Sequence, residues 1–418
     1  MSEQQSLWHR FFEKYGLSFV MVASYFGSGS IYIASQAGVE YGYALIWAVV
    51  GAVLLGFMAQ DMSARLGIFG DTLMGFIRKK IGKGPALLLA LFLSLGCIAW
   101  TVALTAAVGM SFEILSGQAL SWQPVAVVTG LVAILTGVLK YERVETFVTA
   151  MMFVLLVLYV VVAGASGPAP AEMAAGFLPT LPDSGAMLLG AAILGTTALW
   201  PNFFLESILV KKKGWTRDED LSEVRHDLAF GYIVGGLITV CIIVVSAAVL
   251  RPAGYTELTS FITPGQALAE VLGEWAMVVF LIGVICAAFN SIVPIMWTVP
   301  YMILEALDAP QKEQDTRAFR AIYAGAILIG MSSPLVSAVT GLTIVQMVTL
   351  FPAINGVFGL PITAAFLFWA VNDKKTMGHR VNDWKLNAIN VVLVLFATYV
   401  ALSSARGVIR AIFGDMMG

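Results

Sequence analysis

Three polar clusters lie inside apolar stretches of this chain. The first, Gly27-Ser28-Gly29-Ser30, falls within an apolar run over residues 17–38. Two glycines lower helix propensity, and the two serine hydroxyls compete for backbone groups. At membrane depth a helix break persists only where its freed N–H and C=O groups are buried in protein or face a polar cavity. The second cluster is Trp200-Pro201-Asn202, followed one turn later by Glu206. Proline removes a helical donor and collides with the preceding turn. The third is Asn290-Ser291, with Pro294 just beyond. Gln346 and the stretch from Pro352 through Asn355 to Gly356 mark a bend in a later run and are gate candidates.

Each cluster suggests a chemistry. Small residues at 27–30 expose consecutive backbone N–H groups, and the half-helix that follows adds positive potential at its N-terminus. Trp200 either closes over a planar or apolar part of a solute, its indole N–H donating, or packs in the interior. Asn202 reads a polar group of the solute, caps the second half-helix, or does both. Glu206 is the only carboxylate near the second break, and an ionisable group at that depth is a functional candidate. It carries a coupling proton, pairs with a cation, or snorkels toward the interface. Asn290 and Ser291, facing carbonyls freed near Gly27, offer oxygen ligands for a sodium ion or a hydrogen bond between helices.

Enzyme chemistry is not expected. The chain has only His9, His226 and His379, and Cys97, Cys241 and Cys286 show no metal-ligand spacing. No nucleophile and base pair can be assembled, and no phosphate-binding GxxxxGK[ST] loop is present. A net charge of −2 gives no footprint for nucleic acid. No resident cofactor is implied; coupling to Na+ or H+ is open.

The elements that hold these clusters follow from composition. With 59% hydrophobic and 12% charged residues, and a mean hydropathy of +0.86, the solvent is lipid. The expected class is an all-α integral membrane protein with eleven spans. They cover residues 17–40 (broken), 43–65, 85–114, 123–140, 145–166, 184–212 (broken), 226–250, 274–306, 318–338, 342–371 and 385–405. With the N-terminus in the cytoplasm, only Arg251, Arg406 and Arg410 of the 24 lysines and arginines fall outside, as the positive-inside rule requires. The C-terminus is then external, no cleavable signal peptide is expected, and the protein sits in the plasma (cell inner) membrane. Residues 71–81 read as an amphipathic helix along the inner surface.

The breaks fall in spans one and six. Five spans separate equivalent points, so the second half crosses the membrane in the opposite sense. That is the pattern of an inverted repeat with a midplane site between two discontinuous helices. The repeats cover about residues 17–166 and 184–371, with 385–405 as an added helix, in a single transmembrane domain over 1–418.

The segments QAGVEYGYALIW at 36–47, LLGFMAQ at 54–60 and SARLG at 63–67 resemble the NRAMP family of divalent-metal transporters, and residues 191–210 look like its sixth helix. The resemblance covers most of the span pattern and is specific over the first two helices. It implies a LeuT-type 5+5 fold, secondary active transport by alternating access, and a substrate site between helices one and six. The departures concern the site. Where the family carries Asp-Pro-Gly-Asn, this chain has Gly27-Ser28-Gly29-Ser30; where it carries Met-Pro-His, this chain has Trp200-Pro201-Asn202. Acidic residues of the family's proton route on the third helix are also missing, with Thr101 and Thr105 as the polar groups there.

Two readings of the passenger follow. Hydroxyls, one amide and carbonyls supply no charge for a dehydrated transition metal. Gly-Ser-Gly is also similar to the motif by which amino-acid carriers of this fold hold a carboxylate. The first expectation is therefore a small polar organic solute, an amino acid or carboxylate. The alternative keeps a divalent cation, magnesium or manganese and partly hydrated, with Glu206 as the sole charge; which residues would ligate such a metal is left unassigned. The expected partners are the solute or ion and the bilayer, with the protein a monomer.

Overall fold

A computed structural model describes residue 21 and residues 24–138, 141–256, 258, 261–309 and 316–413. Regular structure among these residues is helical throughout. Helix α1 (Ser28–Tyr41) begins directly after Gly27 and ends at Gly42, which takes φ 60° and bonds back to the Gly38 carbonyl. After α2 (Ile46–Phe69) comes α3 (Leu73–Ile81), capped by Thr72 Oγ1, which accepts from the Gly75 N–H at 3.1 Å. Leu73, Met74, Phe76 and Ile77 of α3 are buried, while Arg78, Lys79 and Lys80 fill its last turn. The amphipathic stretch expected at 71–81 is thus a helix whose apolar face is covered by protein.

Helix α4 (Lys83–Leu115) has 33 residues, about 50 Å at 1.5 Å per residue, longer than the ~30 Å hydrocarbon layer. Then follow α5 (Trp122–Gly137), α6 (Tyr141–Ala165), the short α7 (Pro170–Ala175), α8 (Ser184–Thr197) and α9 (Trp200–Lys212). Helix α10 (Asp218–Val245) runs into a π-helical turn at Ser246–Leu250. The remainder is α11 (Thr263–Leu272), α12 (Glu274–Ala306), α13 (Arg317–Gly330), α14 (Ser333–Thr340), α15 (Ile344–Asn372), α16 (Lys374–Met377) and α17 (Trp384–Phe413). The long helices α4 and α12 form the most extensive helix pair.

Seven stretches among the described residues are long and apolar enough to cross a membrane: Ile46–Phe69, Lys83–Leu115, Gly185–Lys212, Asp218–Leu250, Glu274–Ala306, Arg317–Thr340 and Ile344–Asn372. Shorter apolar helices cover Trp122–Gly137, Leu156–Ala165 and Trp384–Tyr399. All ten overlap spans expected from the sequence. In the remaining one, 17–40, residues 17–20, 22 and 23 lie outside the described residues.

Burial follows a membrane solvent. Leu88, Leu95, Leu135, Ile233, Leu335, Val339 and Leu402 are exposed, whereas Ser24, Gln60, Asn202, Glu206, Asp227 and Asn290 are buried. Apolar side chains face outward because hydrocarbon accepts them, and polar side chains turn inward to find one another. Charged pairs gather at one end of the helices. Asp61 of α2 accepts from Arg225 of α10 at 2.5 and 3.2 Å. Arg65 donates to Asn382 and to the Arg380 carbonyl, Arg380 pairs with Asp218, and Lys80 meets Asp373 at 2.7 Å.

Candidate functional site

Helical geometry lapses at Phe26 and Gly27, between Tyr25 and Ser28, and again at Ala198 and Leu199, between α8 and α9. At the first lapse Gly27 is extended, and Ser30 Oγ donates to the Tyr25 carbonyl at 2.8 Å, spanning the gap. Ser28 Oγ is buried with no hydrogen-bond partner among the described residues. At the second, Leu199 is extended with ψ 108°, and Pro201 stands in the first turn of α9, where a missing N–H leaves nothing unsatisfied.

The two lapses are bonded to each other. Asn202 Nδ2 donates to the Met21 carbonyl at 2.9 Å, and Ser24 Oγ donates to Asn202 Oδ1. Asn202 therefore ties the start of α9 to the half-helix preceding Gly27. Gly27 itself is crowded: a Cβ there would lie 3.0 Å from Leu104 Cδ2 of α4 and 3.1 Å from Ser291 Oγ of α12. Gly29 presses on α15, where a Cβ would come 3.2 Å from the Val348 carbonyl. Of the third cluster, Ser291 thus joins the first break. Asn290 is fully buried, and neither atom of its amide has a hydrogen-bond partner among the described residues.

Trp200 points elsewhere. Its indole N–H donates to Asn355 Oδ1 at 3.1 Å, and Asn355 Nδ2 donates to the Gly96 and Phe351 carbonyls at 3.1 and 2.9 Å. Gly359 is the space that the indole fills, since a Cβ there would fall 2.2 Å from Trp200 Nε1. In this conformation Trp200 and Asn355 form a contact between α9, α15 and α4. Gln346 closes a capping box with Thr343 at the start of α15. It also lines a cavity of about 400 Å³ with Tyr32, Gln36, Glu40 and Thr349. The expected bend at 352–356 leaves α15 continuous from Ile344 to Asn372, with Pro352 and Pro361 inside it. Thr101 and Thr105 bond to the Cys97 and Gly330 carbonyls and to Ser333, which makes them packing groups of α4.

Glu206 lies on α9 one turn beyond Asn202, with no exposed surface and neither carboxylate oxygen hydrogen-bonded among the described residues. Asp227 of α10 and Lys213 are its charged neighbours. Beside it stands Tyr232 of α10, whose ring stacks on Tyr25 at 5.3 Å between centroids. Sequence reasoning missed Ser24, Tyr25, Gln60, Asp227 and Tyr232. The available signal was a polar side chain within a long apolar run, the same signal that exposed Glu206. Among the described residues no group of three or more His, Cys, Asp and Glu comes together as a ready metal site.

Comparison with known proteins places this geometry. A divalent metal cation transporter MntH of Pectobacterium carotovorum subsp. carotovorum (strain PC1) is 28% identical over 286 residues, covering 66% of this chain and 68% of that protein. The MntH of Erwinia tasmaniensis is 27% identical over 293 residues, with the same coverage. In structure, a manganese transporter of Eremococcus coleocola superposes with a TM-score of 0.84 at 17% identity, covering 100% of this chain and 91% of that one. MhsT, solved with L-phenylalanine, gives a TM-score of 0.59 at 15% identity over 92% of this chain and 98% of its own. These solved structures establish a shared helical fold. Residues 18–405 match the natural resistance-associated macrophage protein-like family, to which this membrane protein belongs.

Proposed function

We propose that the chain is a secondary transporter that carries a divalent metal cation, magnesium or manganese, across the membrane by alternating access. The relatives matched over two thirds of the chain bear the name of divalent metal cation transporters, so the cation alternative fits better than the organic solute first expected. The observation that carries this reading is Glu206: a carboxylate with no exposed surface and no hydrogen-bond partner among the described residues, one turn from the residue that joins the two breaks. An uncompensated charge in such a place costs several kcal/mol. A cation that visits the site offsets that cost.

In this reading the chain has eleven spans with its N-terminus in the cytoplasm. The helices through Gly27 and through Leu199 are the discontinuous members of two inverted repeats. Ser28 Oγ, the carbonyls freed at the breaks and Asn202 contact a partly hydrated ion, while Glu206 supplies charge. Asn290 and Ser291 remain candidates for a coupling sodium ion. Gating falls to the Gln346 end of α15, next to the outer cavity. The test is uptake of Mn2+ and Mg2+ into proteoliposomes. Saturable uptake abolished by Glu206→Gln supports the reading; uptake of amino acids or carboxylates with no response to either metal overturns it.

A further inference from the structure

Basic side chains at the charged end of the helices are not spread evenly. The stretch 211–225 carries five lysines and arginines against four acids, and several of these are paired: Lys211 with Asp71, Arg217 with Asp220 and Arg225 with Asp61. Around α3, α16 and the start of α17 the balance is different. There Asp71 is taken by Lys79 as well as Lys211, and Asp373 by Lys80. Asp383 caps α17, accepting from the Leu386 N–H at 2.8 Å, and lies within electrostatic reach of Arg65. Lys83, Lys374, Lys375 and Lys385 remain, each exposed and in no ion pair among the described residues.

Independent contacts put these ammonium groups on one surface. The Lys80–Asp373 pair ties α3, three residues before Lys83, to the residue that caps α16 and precedes Lys374 and Lys375. The Asn382 N–H donates to the Val371 carbonyl at 3.3 Å, which folds the chain back so that α17 starts beside the end of α15. Two tryptophans stand on the same surface. Trp369 of α15 meets the Phe76 ring of α3 edge-on, 5.5 Å between centroids, and is 43% exposed. Trp384, the first residue of α17, is 76% exposed, with the Lys385 ammonium 5.9 Å from its ring. Leu88, five residues beyond Lys83 on α4, is also exposed, an apolar side chain for hydrocarbon to cover.

Exposed indoles beside exposed ammonium groups, with apolar side chains next along the helix, are what a protein presents at the level of lipid headgroups. A zwitterionic headgroup brings its own cation and leaves the four lysines unmatched. An anionic phosphodiester matches them, and its oxygens accept from the ammonium groups. We infer that Lys83, Lys374, Lys375 and Lys385, with Trp369 and Trp384, form a binding surface for the headgroup of an anionic phospholipid in the leaflet at this end, the cytoplasmic one in the topology proposed above. The two indoles commit the surface to a lipid rather than a free phosphate, since they offer apolar area to the glycerol and upper acyl chain. The inference is independent of the passenger, because none of these residues belongs to the breaks. A lipid bound there fastens α3 and α4 to the ends of α15 and α17.

The test titrates the full-length protein, purified in a neutral detergent, with phosphatidylglycerol or phosphatidylcholine brominated on the acyl chain, and reads contact quenching of tryptophan fluorescence. Half-maximal quenching is expected at a lower mole fraction of phosphatidylglycerol, by about tenfold or more, a preference that shrinks with added salt as the surface charges are screened. The double substitution Lys374→Gln, Lys375→Gln should erase most of it, at about fivefold per lysine. Trp384→Phe should lower the amplitude of quenching, and Lys211→Gln, in the acid-balanced stretch, should leave the preference intact. If the double variant melts earlier than wild type in neutral detergent, Lys83→Gln alone carries the test, again at about fivefold. Equal affinity of wild type for the two lipids overturns the site. An equal loss in Lys211→Gln also overturns it, since the average charge of this end would then be the cause. Displacement of phosphatidylglycerol by inorganic phosphate at equal concentration overturns the choice of a lipid.

Discussion

The two breaks are bonded to each other and differ in chemistry. Around Gly27 the backbone is hemmed in by Leu104, Ser291 and α15, and its polar groups are neutral: Ser28, Ser30 and peptide carbonyls. Around Leu199 the break divides its side chains between two neighbours. Trp200 turns to Asn355 on α15, while Asn202 turns to Met21 and Ser24 on the first half-helix. Only this second break has a carboxylate within one turn. The difference suggests a division of labour in which the first break offers shape and dipoles and the second brings charge. A site whose family normally takes an acid from its first break would then have moved that acid to its sixth helix.

This contrast can be attacked from both ends. The largest effect is expected at the charged break, where Glu206→Gln should lower Mn2+ or Mg2+ uptake by about 100-fold or more, since removing the carboxylate one turn from the break forfeits several kcal/mol of ion stabilisation. Residual uptake near the wild-type rate would show that the second break does not supply the charge. Next comes the neutral break. Gly27→Leu should block transport in a protein that still inserts and folds, because any side chain there meets Leu104 and Ser291; unchanged flux would detach Gly27 from the pathway.

A smaller effect isolates the link between the breaks. Asn202→Leu removes two buried hydrogen bonds while Ser24 Oγ still donates to the Met21 carbonyl at 3.0 Å, so it should cost about 1 kcal/mol for each bond and appear as a clear drop in thermal midpoint. Trp200→Phe, by comparison, removes a single indole N–H while Asn355 keeps its bonds to Gly96 and Phe351. It should cost about 1 kcal/mol and spare uptake. A loss of uptake in Trp200→Phe comparable with that of Glu206→Gln would return the indole to the binding site.

The weakest effect should come from the charged end of the helices. The Lys80 ammonium, which donates to Asp373, and then the Thr376 hydroxyl hold the Asp373 carboxyl below its ordinary range. A depressed carboxylate stabilises the fold at pH values above its unfolded pKa of about 3.9, and that contribution fades as pH falls through the lower folded value. Lys80→Met should therefore lower the thermal midpoint by about 1–2 °C across pH 5–8, as befits a partly exposed pair. The difference from wild type should shrink in acid below about pH 4. A gap that widens in acid would mean that Lys80 acts through something other than Asp373.

Much of the fold was legible because its signals are local. Apolar runs of membrane-spanning length, the glycines and serines at 27–30 and the proline at 201 act through backbone geometry and solvation, which depend on near neighbours in the chain. The site was legible only as a pair of gaps. Trp200 read equally as a lid over a solute or as a packing residue, and it is the rotation of its helix that sends the indole donor to Asn355, 155 residues away. Ser24 and Asn202 meet across 178 residues.

The sequence by itself determined the solvent, the helical spans, the two interruptions and a lone acid beyond the second, since hydropathy and helix propensity are properties of short segments. Only the tertiary structure decided which polar groups face one another. Helix rotation and approach are set by packing that no segment encodes alone. Gly38 lets α1 lie against α10, where a Cβ would come 2.5 Å from the Ile243 carbonyl, and Gly56 admits the Tyr232 ring. Those close contacts hold the stacked Tyr25 and Tyr232 rings beside Glu206, an approach that no single segment specifies.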